Sequence, residues 1–550
     1  RGATSGALIM EEERYEWIIA LAACFAFVSA LGIGANDVAN AFATSVGAKA
    51  LKIREAVIIA AVFEFAGAVL LGGFVSNTIR EDIANVDCFL DRPVVFMWGM
   101  VSVLICSGAW LWVATYFELP VSNTHATVGG IAGMTMVAAG PDCVVWARPT
   151  QSFPYITGIV TIAISWVTSP IFSGALAALI YYMARRYILR TEYPFDRGLS
   201  AFPPLAFCCV TMVVFYIVLK DPENPGGLGF EQTTPDVYYA IITAVGSGVI
   251  AAIVARSLRE RLEAIAEEME YEESEEGGST RRSADQHAST TDTPTGGTPK
   301  GEVPPLVAAT VPRKGPTRTD SVGSIPGMKE YMRRKMDTDI DQVISRNSTV
   351  SDIHSLAELF APEAEIAFRF MQVLTASLDA FAHGANDVAN AMGPFAAVYY
   401  VYTNNFSLEG FSNGVGNNIY WMLAGGGLGI VVGLAMYGYK IMYAIGVKLA
   451  KITPSRGFSI ELGGLIIVLL GSRLGIPLSS THCQVGATMG VAGMEGRLAS
   501  TNWSIVGKTV LGWIFTMVVN GCFVAAVFAI GDNTIDYCQQ FVSGGPPECQ

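Results

Sequence analysis

A carboxylate flanked by carboxamides occurs twice in an otherwise apolar chain. Residues 32–42 read GIGANDVANAF and residues 382–392 read AHGANDVANAM, so GANDVAN recurs 350 positions apart (384 − 34 = 350). If each copy is helical, Asn36 and Asn40 share a face with Asp37 beside them, and Asn386 and Asn390 do the same around Asp387. An unpaired carboxylate at bilayer depth costs about 2.5–3.5 kcal/mol. Meeting that cost twice, with the same seven residues, argues for a functional site over an interhelical polar clamp. Carboxylate and amide oxygens are the ligands that hard cations prefer. Asp37 and Asp387, with these amides, could therefore bind a coupling ion directly or receive protons.

A second pair lies downstream of each copy. LPVSNTHATVGGIAG (119–133) and IPLSSTHCQVGATMG (476–490) share P-x-S-x-T-H, with prolines 357 apart (477 − 120 = 357). Proline followed by Ser and Thr fits a helix start, where hydroxyls meet free backbone N–H groups. A helix N-terminus inside a membrane attracts anions through those donors and its positive dipole end. Ser122, Asn123 and Thr124, with Ser479, Ser480 and Thr481, add side-chain donors, so two such starts face to face would surround a tetrahedral oxyanion. His125 and His482 close the motifs and are expected to orient the helices or support the site from behind, proton handling being the alternative.

Two more acids sit in apolar runs, Glu64 in FEFAGA and Glu461 in IELGGL. They read as repeat partners that bind a cation or accept a salt bridge. Arg456, in TPSRGFSIELGG, is expected to meet an anion or anchor at the membrane boundary. Asp379 aligns with Ser29 (379 − 350 = 29) and has no acidic counterpart. GANDVAN lacks the GKS/T of a phosphate-cradling loop, no HExxH spacing exists, and Ser and His three apart on a capped helix do not form a triad. An enzyme is not indicated, nor is a cofactor.

The elements that carry these motifs are membrane spans. Of 550 residues 51% are hydrophobic and only 15% charged, with mean hydropathy +0.42, against about 25% charged in an average soluble domain. The net charge of −13 sits mostly in loops, and no basic patch interleaved with aromatics speaks for nucleic acid. Apolar runs fall near 17–44, 55–78, 94–117, 119–139, 155–183, 203–219, 237–256, 366–402, 419–447, 459–474, 478–494 and 505–530. The fold class is an all-α polytopic membrane protein with about twelve transmembrane segments, several short enough to be interrupted or re-entrant. The stretch before Met10 (1–9) reads as residues added ahead of the natural start, within an extracellular N-terminus, 1–16. The N-terminal half, 17–256, is followed by a Ser/Thr/Gly/Pro-rich segment, 257–365, too polar to fold alone apart from an amphipathic helix near 327–360. The C-terminal half, 366–530, precedes an extracellular tail, 531–550.

Lys and Arg cluster at Lys49/Lys52/Arg54, Arg185/Arg186/Arg190/Arg197, Arg256/Arg259/Arg261 and Lys448/Lys451/Arg456. The positive-inside rule puts all of these in the cytoplasm with the long loop, and both termini outside. The two GANDVAN spans then run in opposite directions, as do the two P-x-S-x-T-H segments. Inverted repeats with interrupted helices are a transporter pattern, with the substrate site at the repeat interface near mid-membrane. Cys88, Cys143, Cys538 and Cys549 lie in polar connections or the tail and could pair on an oxidising side. Asn405, in NFS, is a glycosylation candidate in an outer loop.

GANDVANAF, GANDVANAM, PVSNTH, PLSSTH and PSRGFSIELG, across both membrane halves, resemble the inorganic phosphate transporter (PiT) family of sodium–phosphate symporters, in its eukaryotic form of fungal or protist type. The resemblance implies a homodimer in the plasma membrane that takes up phosphate with sodium, usually two ions per phosphate, and no other cofactor. It assigns cations to Asn36, Asp37, Asn40, Asn386, Asp387 and Asn390, phosphate to Asp37, Asp387, Ser122, Asn123, Thr124, Ser479, Ser480 and Thr481, and transport to Glu64 and Glu461. Asn123 stands opposite Ser480, so the two anion-binding halves are chemically unequal. Two sodium ions neutralise a phosphate dianion, whose burial alone is prohibitive. The competing readings are a proton-coupled phosphate or sulfate carrier, an anion channel and a nutrient receptor.

Overall fold

The structure is a computed structural model that describes residues 2–150, 155–218, 234–257, 259, 263–264 and 340–539. The chain divides into two units, Arg1–Arg259 with Met336–Gln550, and Glu260–Lys335. Nearly all of the second unit, and with it most of the expected cytoplasmic loop, lies outside the described residues, as does any pairing of Cys538 or Cys549.

The first unit is almost wholly helical, since only helices satisfy their own backbone in lipid without a partner strand. Its helices are α1 Gly2–Ile33, α2 Ala39–Gly47, α3 Ile53–Glu81, α4 Pro93–Tyr116, α5 Asn123–Ala139, α6 Ile159–Ala184, α7 Pro194–Val218 and α8 Thr234–Ser257. After the gap come two short helices, α9 Ile340–Ser345 and α10 Ser348–Ser355, where an amphipathic helix was expected. The second half holds α11 Pro362–Asp387, α12 Ala389–Thr403, α13 Ile419–Tyr437, α14 Tyr439–Gly446, α15 Pro454–Arg473, α16 Ser480–Gly493 and α17 Trp503–Gln539. α7 begins well before 203 because Pro203 and Pro204 are carried inside it, and α17 runs on into the expected tail.

Nine spans among the described residues are long and apolar enough to cross a membrane. Three expected segments do not qualify on that measure. α5 and α16 have 17 and 14 residues, about 25 and 21 Å at 1.5 Å per residue, short of a hydrocarbon core of about 30 Å. Each is instead the returning arm of a hairpin. Arg92, at the start of α4, donates to the Ala138 carbonyl at the end of α5, and Arg456, at the start of α15, reaches Glu495 just past α16. The third is α11–α12, which breaks at Val388.

Both GANDVAN copies sit at helix breaks. A π-helical turn, Gly34–Val38, joins α1 to α2, and α11 ends at Asp387. Glycine lets each broken helix touch a neighbour backbone to backbone. A Cβ on Gly34 would stand 1.9 Å from the Ile430 carbonyl oxygen of α13, and one on Gly384 would stand 2.1 Å from the Glu64 carbonyl oxygen of α3.

The two ends of the bundle differ in chemistry. At one, Lys49 pairs with Asp341, Lys448 with Glu118, and Arg185 and Arg190 with Glu358. At the other, Cys88 and Cys143 form a disulfide across 55 residues. Beside it Asn85 N–H donates to the Cys143 carbonyl and Val145 N–H to the Ile83 carbonyl. Arg148 stands 3.8 Å from Asp82, whose carboxyl burial pushes up to about 6 against the pull of that guanidinium. Closing a loop of 55 residues contributes up to about 4 kcal/mol through the unfolded chain. Reduction should therefore lower the melting temperature of the purified protein. A melt unchanged after thiol labelling has verified reduction would contradict this.

Candidate functional site

The P-x-S-x-T-H motifs do start helices. Ser122 caps α5 by accepting from His125 N–H, and Ser479 caps α16 by accepting from His482 N–H, both at 3.3 Å. The cap oxygens accept and keep their O–H protons to donate, and the residues after them are buried. Thr124 Oγ1 donates to the Leu478 carbonyl at 3.0 Å, and Thr481 Oγ1 lies 3.2 Å from the Val121 carbonyl, so the two hairpin turns meet.

Asp37 and Asp387 meet at this crossing, both fully buried. Asp37 Oδ1 accepts from Ser480 Oγ at 2.9 Å, Thr481 Oγ1 at 2.5 Å and Asn40 Nδ2 at 3.1 Å, while Oδ2 accepts from Asn123 N–H at 3.2 Å. The first turns of both α5 and α16 thus donate to one carboxylate. Ser480 Oγ also lies 3.1 and 3.0 Å from the two oxygens of Asp387. One hydroxyl carries one proton, so it cannot satisfy both carboxylates together. Asp387 otherwise accepts from Asn386 Nδ2 at 2.7 Å.

The amides divide by role. Asn36 clamps the first hairpin turn, donating to Thr115 Oγ1 and the Leu119 carbonyl and accepting from Val121 N–H, each at 3.0 Å. Both of its polar atoms thus have protein partners, with one lone pair of Oδ1 left over. Asn40, Asn386 and Asn390 each keep a buried Oδ1 without a hydrogen bond. The Asn123 side chain lies beside Asp387, with neither its N nor its O in hydrogen-bonding geometry.

Glu461 and Glu64 sit in different surroundings, on α15 and α3. Glu461 Oε1 accepts from Thr44 at 2.6 Å, Ser45 at 2.5 Å and Gln372 at 3.2 Å, and its Oε2 accepts from Thr375 at 2.8 Å. Glu64 is equally buried, yet neither of its oxygens has a partner, and it lies within electrostatic reach of Asp37, Asp379 and Asp387. The four donors around Glu461 are scattered through the sequence, and no motif marks them.

His125 and His482 orient helices. His125 Nδ1–H donates to the Trp513 carbonyl at 3.1 Å, and His482 Nδ1–H to the Trp166 carbonyl at 2.9 Å. The His125 ring lies 3.8 Å from that of Trp166, the His482 ring 3.6 Å from that of Trp513, and the two imidazoles 4.6 Å apart. α5 is thereby pinned to α17 and α16 to α6. No motif in the sequence marks Trp166 or Trp513 as partners of these histidines.

Arg456 does not support the anion site. It is buried at the basic end, 2.7 Å from Glu495 Oε1, and donates to Thr453 Oγ1 and the Glu358 carbonyl. Burial would raise the carboxyl of Glu495, but Arg456, the Glu358 N–H and the Tyr181 hydroxyl hold it below its ordinary range. The partner lies past α16, 39 positions away, which the local context of Arg456 could not reveal.

Five carboxylates, Asp37, Glu64, Asp379, Asp387 and Glu461, are fully buried. Arg80 and Arg456, buried bases among the described residues, pair with Glu81 and Glu495 instead. Buried acids of this kind are ionised only with a cation beside them and otherwise hold a proton. A multi-pass helical membrane protein with its ionisable groups gathered inside has the build of a carrier for charged solutes.

The chain belongs to the phosphate transporter family, which it matches over residues 33–524, and that family transports rather than catalyses. It is 30% identical to the phosphate-repressible phosphate permease pho-4 of Neurospora crassa, over 94% of this chain and 98% of that one. It is 26% identical to sodium-dependent phosphate transporter 1 of Mus musculus, over 94% and 95%. A solved structure described as the sodium-dependent phosphate transporter matches with TM-score 0.67 and 26% identity, covering 94% of this chain and 99% of that one.

Proposed function

We propose that the chain is a sodium-coupled symporter that carries inorganic phosphate into the cytosol by alternating access. The observation that carries this reading is Ser480 Oγ within 3.1 Å of both Asp37 and Asp387, at the N-termini of two helices inside the bundle. Two carboxylates that share one hydroxyl repel each other unless a cation or a proton lies between them, and the unpartnered amide oxygens beside them suit a cation. The helix-start donors now taken by Asp37 match those an oxyanion needs. Phosphate would take the donors of Ser480, Thr481, Asn123 and the helix ends. Asp37 and Asp387 would then turn to sodium, with the free oxygens of Asn40, Asn386 and Asn390 completing its shell and Glu64 and Glu461 as further cation ligands. Ser122 and Ser479 accept from N–H groups as they cap their helices, which leaves each hydroxyl proton to donate to phosphate.

The bundle reads as two inverted repeats of about twelve segments, the nine spans with α5, α16 and α11–α12. Related contacts support this: His125 meets Trp513 as His482 meets Trp166, and the offsets agree within each pair (482 − 125 = 357; 513 − 166 = 347). Asn520 Nδ2 donates to the Ala126 carbonyl as Ser173 Oγ donates to that of Cys483, with the same two offsets (483 − 126 = 357; 520 − 173 = 347). Symmetric hairpins crossing at a buried site suit alternate opening to either side. The disulfide speaks for an exoplasmic face on its end and the basic clusters for a cytoplasmic face on the other, in the plasma membrane with both termini outside. A homodimer is part of the proposal and rests on the resemblance alone.

The test is radiolabelled phosphate uptake into proteoliposomes with sodium and proton gradients imposed separately. Uphill uptake that follows the sodium gradient is expected. Uptake that follows only the proton gradient would overturn the coupling ion, and conduction without accumulation would make the protein a channel.

A further inference from the structure

Asp379 is the buried acid that the two-motif account leaves without a task. It lies on α11, fully buried, and neither of its oxygens has a hydrogen-bond partner. Gln484, on α16, is also fully buried. Its Nε2 donates to the Asn40 carbonyl at 3.2 Å, which turns Oε1 the other way, and that oxygen has no partner either. Both unpartnered groups face the space beside Gly464 of α15. A Cβ there would stand 2.9 Å from Gln484 Oε1 and 3.8 Å from Asp379 Oδ1.

We infer that Asp379, Gln484 and the space left by Gly464 form a further sodium site, distinct from the one between Asp37 and Asp387. This inference rests on the sodium-coupled reading above. A carboxylate and a carboxamide oxygen, both desolvated and beside one small space, are the donors a hard monovalent cation takes, and a buried carboxyl without a counter-charge is ionised only with a cation beside it. The His383 ring stands between this site and the central one, Nε2 3.7 Å from Asp379 Oδ2 and Nδ1 3.6 Å from Asp387 Oδ2. An ion at Asp379 therefore sits one imidazole away from Asp387. The site exists in one half only, since the corresponding residue of the first half is Ser29. With two sodium ions at the centre, this third ion would give a phosphate dianion a net positive load, whose inward movement the membrane potential favours.

The test is equilibrium binding of radioactive sodium to the purified full-length chain with saturating phosphate, in wild type, Asp379→Asn and Gly464→Ala. Asp379→Asn keeps the shape and removes the charge. Gly464→Ala keeps the charge and fills the space, against the far end of the Gln484 side chain. Each variant should lower the count of bound sodium by about one per chain relative to wild type. Wild-type counts in both variants would overturn the inference while leaving sodium coupling in place. A wild-type protein that binds no sodium would overturn the sodium-coupled reading and this site together.

Discussion

Asp37→Asn and Asp387→Asn should each abolish sodium-dependent phosphate uptake while leaving a folded protein. The amide is isosteric, so the helix breaks keep a side chain of the same shape. On the proposed mechanism the variant loses one of the two charges that would hold cations beside the anion, and at Asp37 one of the two oxygens that accept from the helix starts. Removing one partner of a desolvated charge pair costs about 2–5 kcal/mol, and at 1.4 kcal/mol per tenfold the lower part of that range already gives roughly a hundredfold loss. The two variants differ in a second respect. Asp37 collects donors from both hairpins, whereas Asp387 is held by its neighbour Asn386 and by Ser480. Asp37→Asn should therefore weaken phosphate binding as well as sodium binding, and Asp387→Asn mainly the sodium dependence. Initial-rate uptake across a sodium series, with melting curves as the folding control, measures this. Uptake within about threefold of wild type in either variant would remove that residue from the site.

Gly34→Ala should lose the folded state itself. Its Cβ would stand 1.9 Å from the Ile430 carbonyl oxygen, and that oxygen belongs to the backbone of a packed helix, so no rotamer change relieves the clash. The helices would have to part by about 1 Å or more to restore van der Waals contact. Overpacking costs typically 1–3 kcal/mol and more where backbone must move. Here the displaced segment also carries Asp37. Gly73→Ala is the matched control, on a span helix with nothing within 4 Å of the added Cβ. The expectation is a collapse in monodisperse, detergent-solubilised Gly34→Ala and a normal yield of Gly73→Ala. Equal yields and equal melting temperatures would show that the α1–α13 approach is looser than its backbone contact implies.

The sequence displays the site wherever its chemistry is local. GANDVAN announces a costly carboxylate by repetition, and P-x-S-x-T-H announces a helix start through cap residues that act on N–H groups three positions on. Both are short-range relations, and Ser122 and Ser479 are the caps their spacing predicts. What the sequence conceals is tertiary. Glu64 and Glu461 share a local context, yet one is bare and the other is held by Thr44, Ser45, Gln372 and Thr375 from two other helices. Arg456 looks like a boundary residue or an anion ligand until Glu495 appears beside it. Asp379 is visible, but its convergence with Gln484 depends on how α11, α15 and α16 pack. Segment count falls between these cases. Hydropathy detects apolar stretches, but α5 and α16 take their role from the turns that return them into the bundle, not from their own length.

The central claim is that phosphate and sodium occupy one shared site between the two hairpins. Its most direct test is the mutual dependence of their affinities in the purified protein. If sodium tightens phosphate binding by some factor, phosphate must tighten sodium binding by the same factor. The account predicts a large, equal factor in both directions for wild type, reduced to near unity in Asp387→Asn. Phosphate affinity indifferent to sodium in the wild-type protein would contradict it.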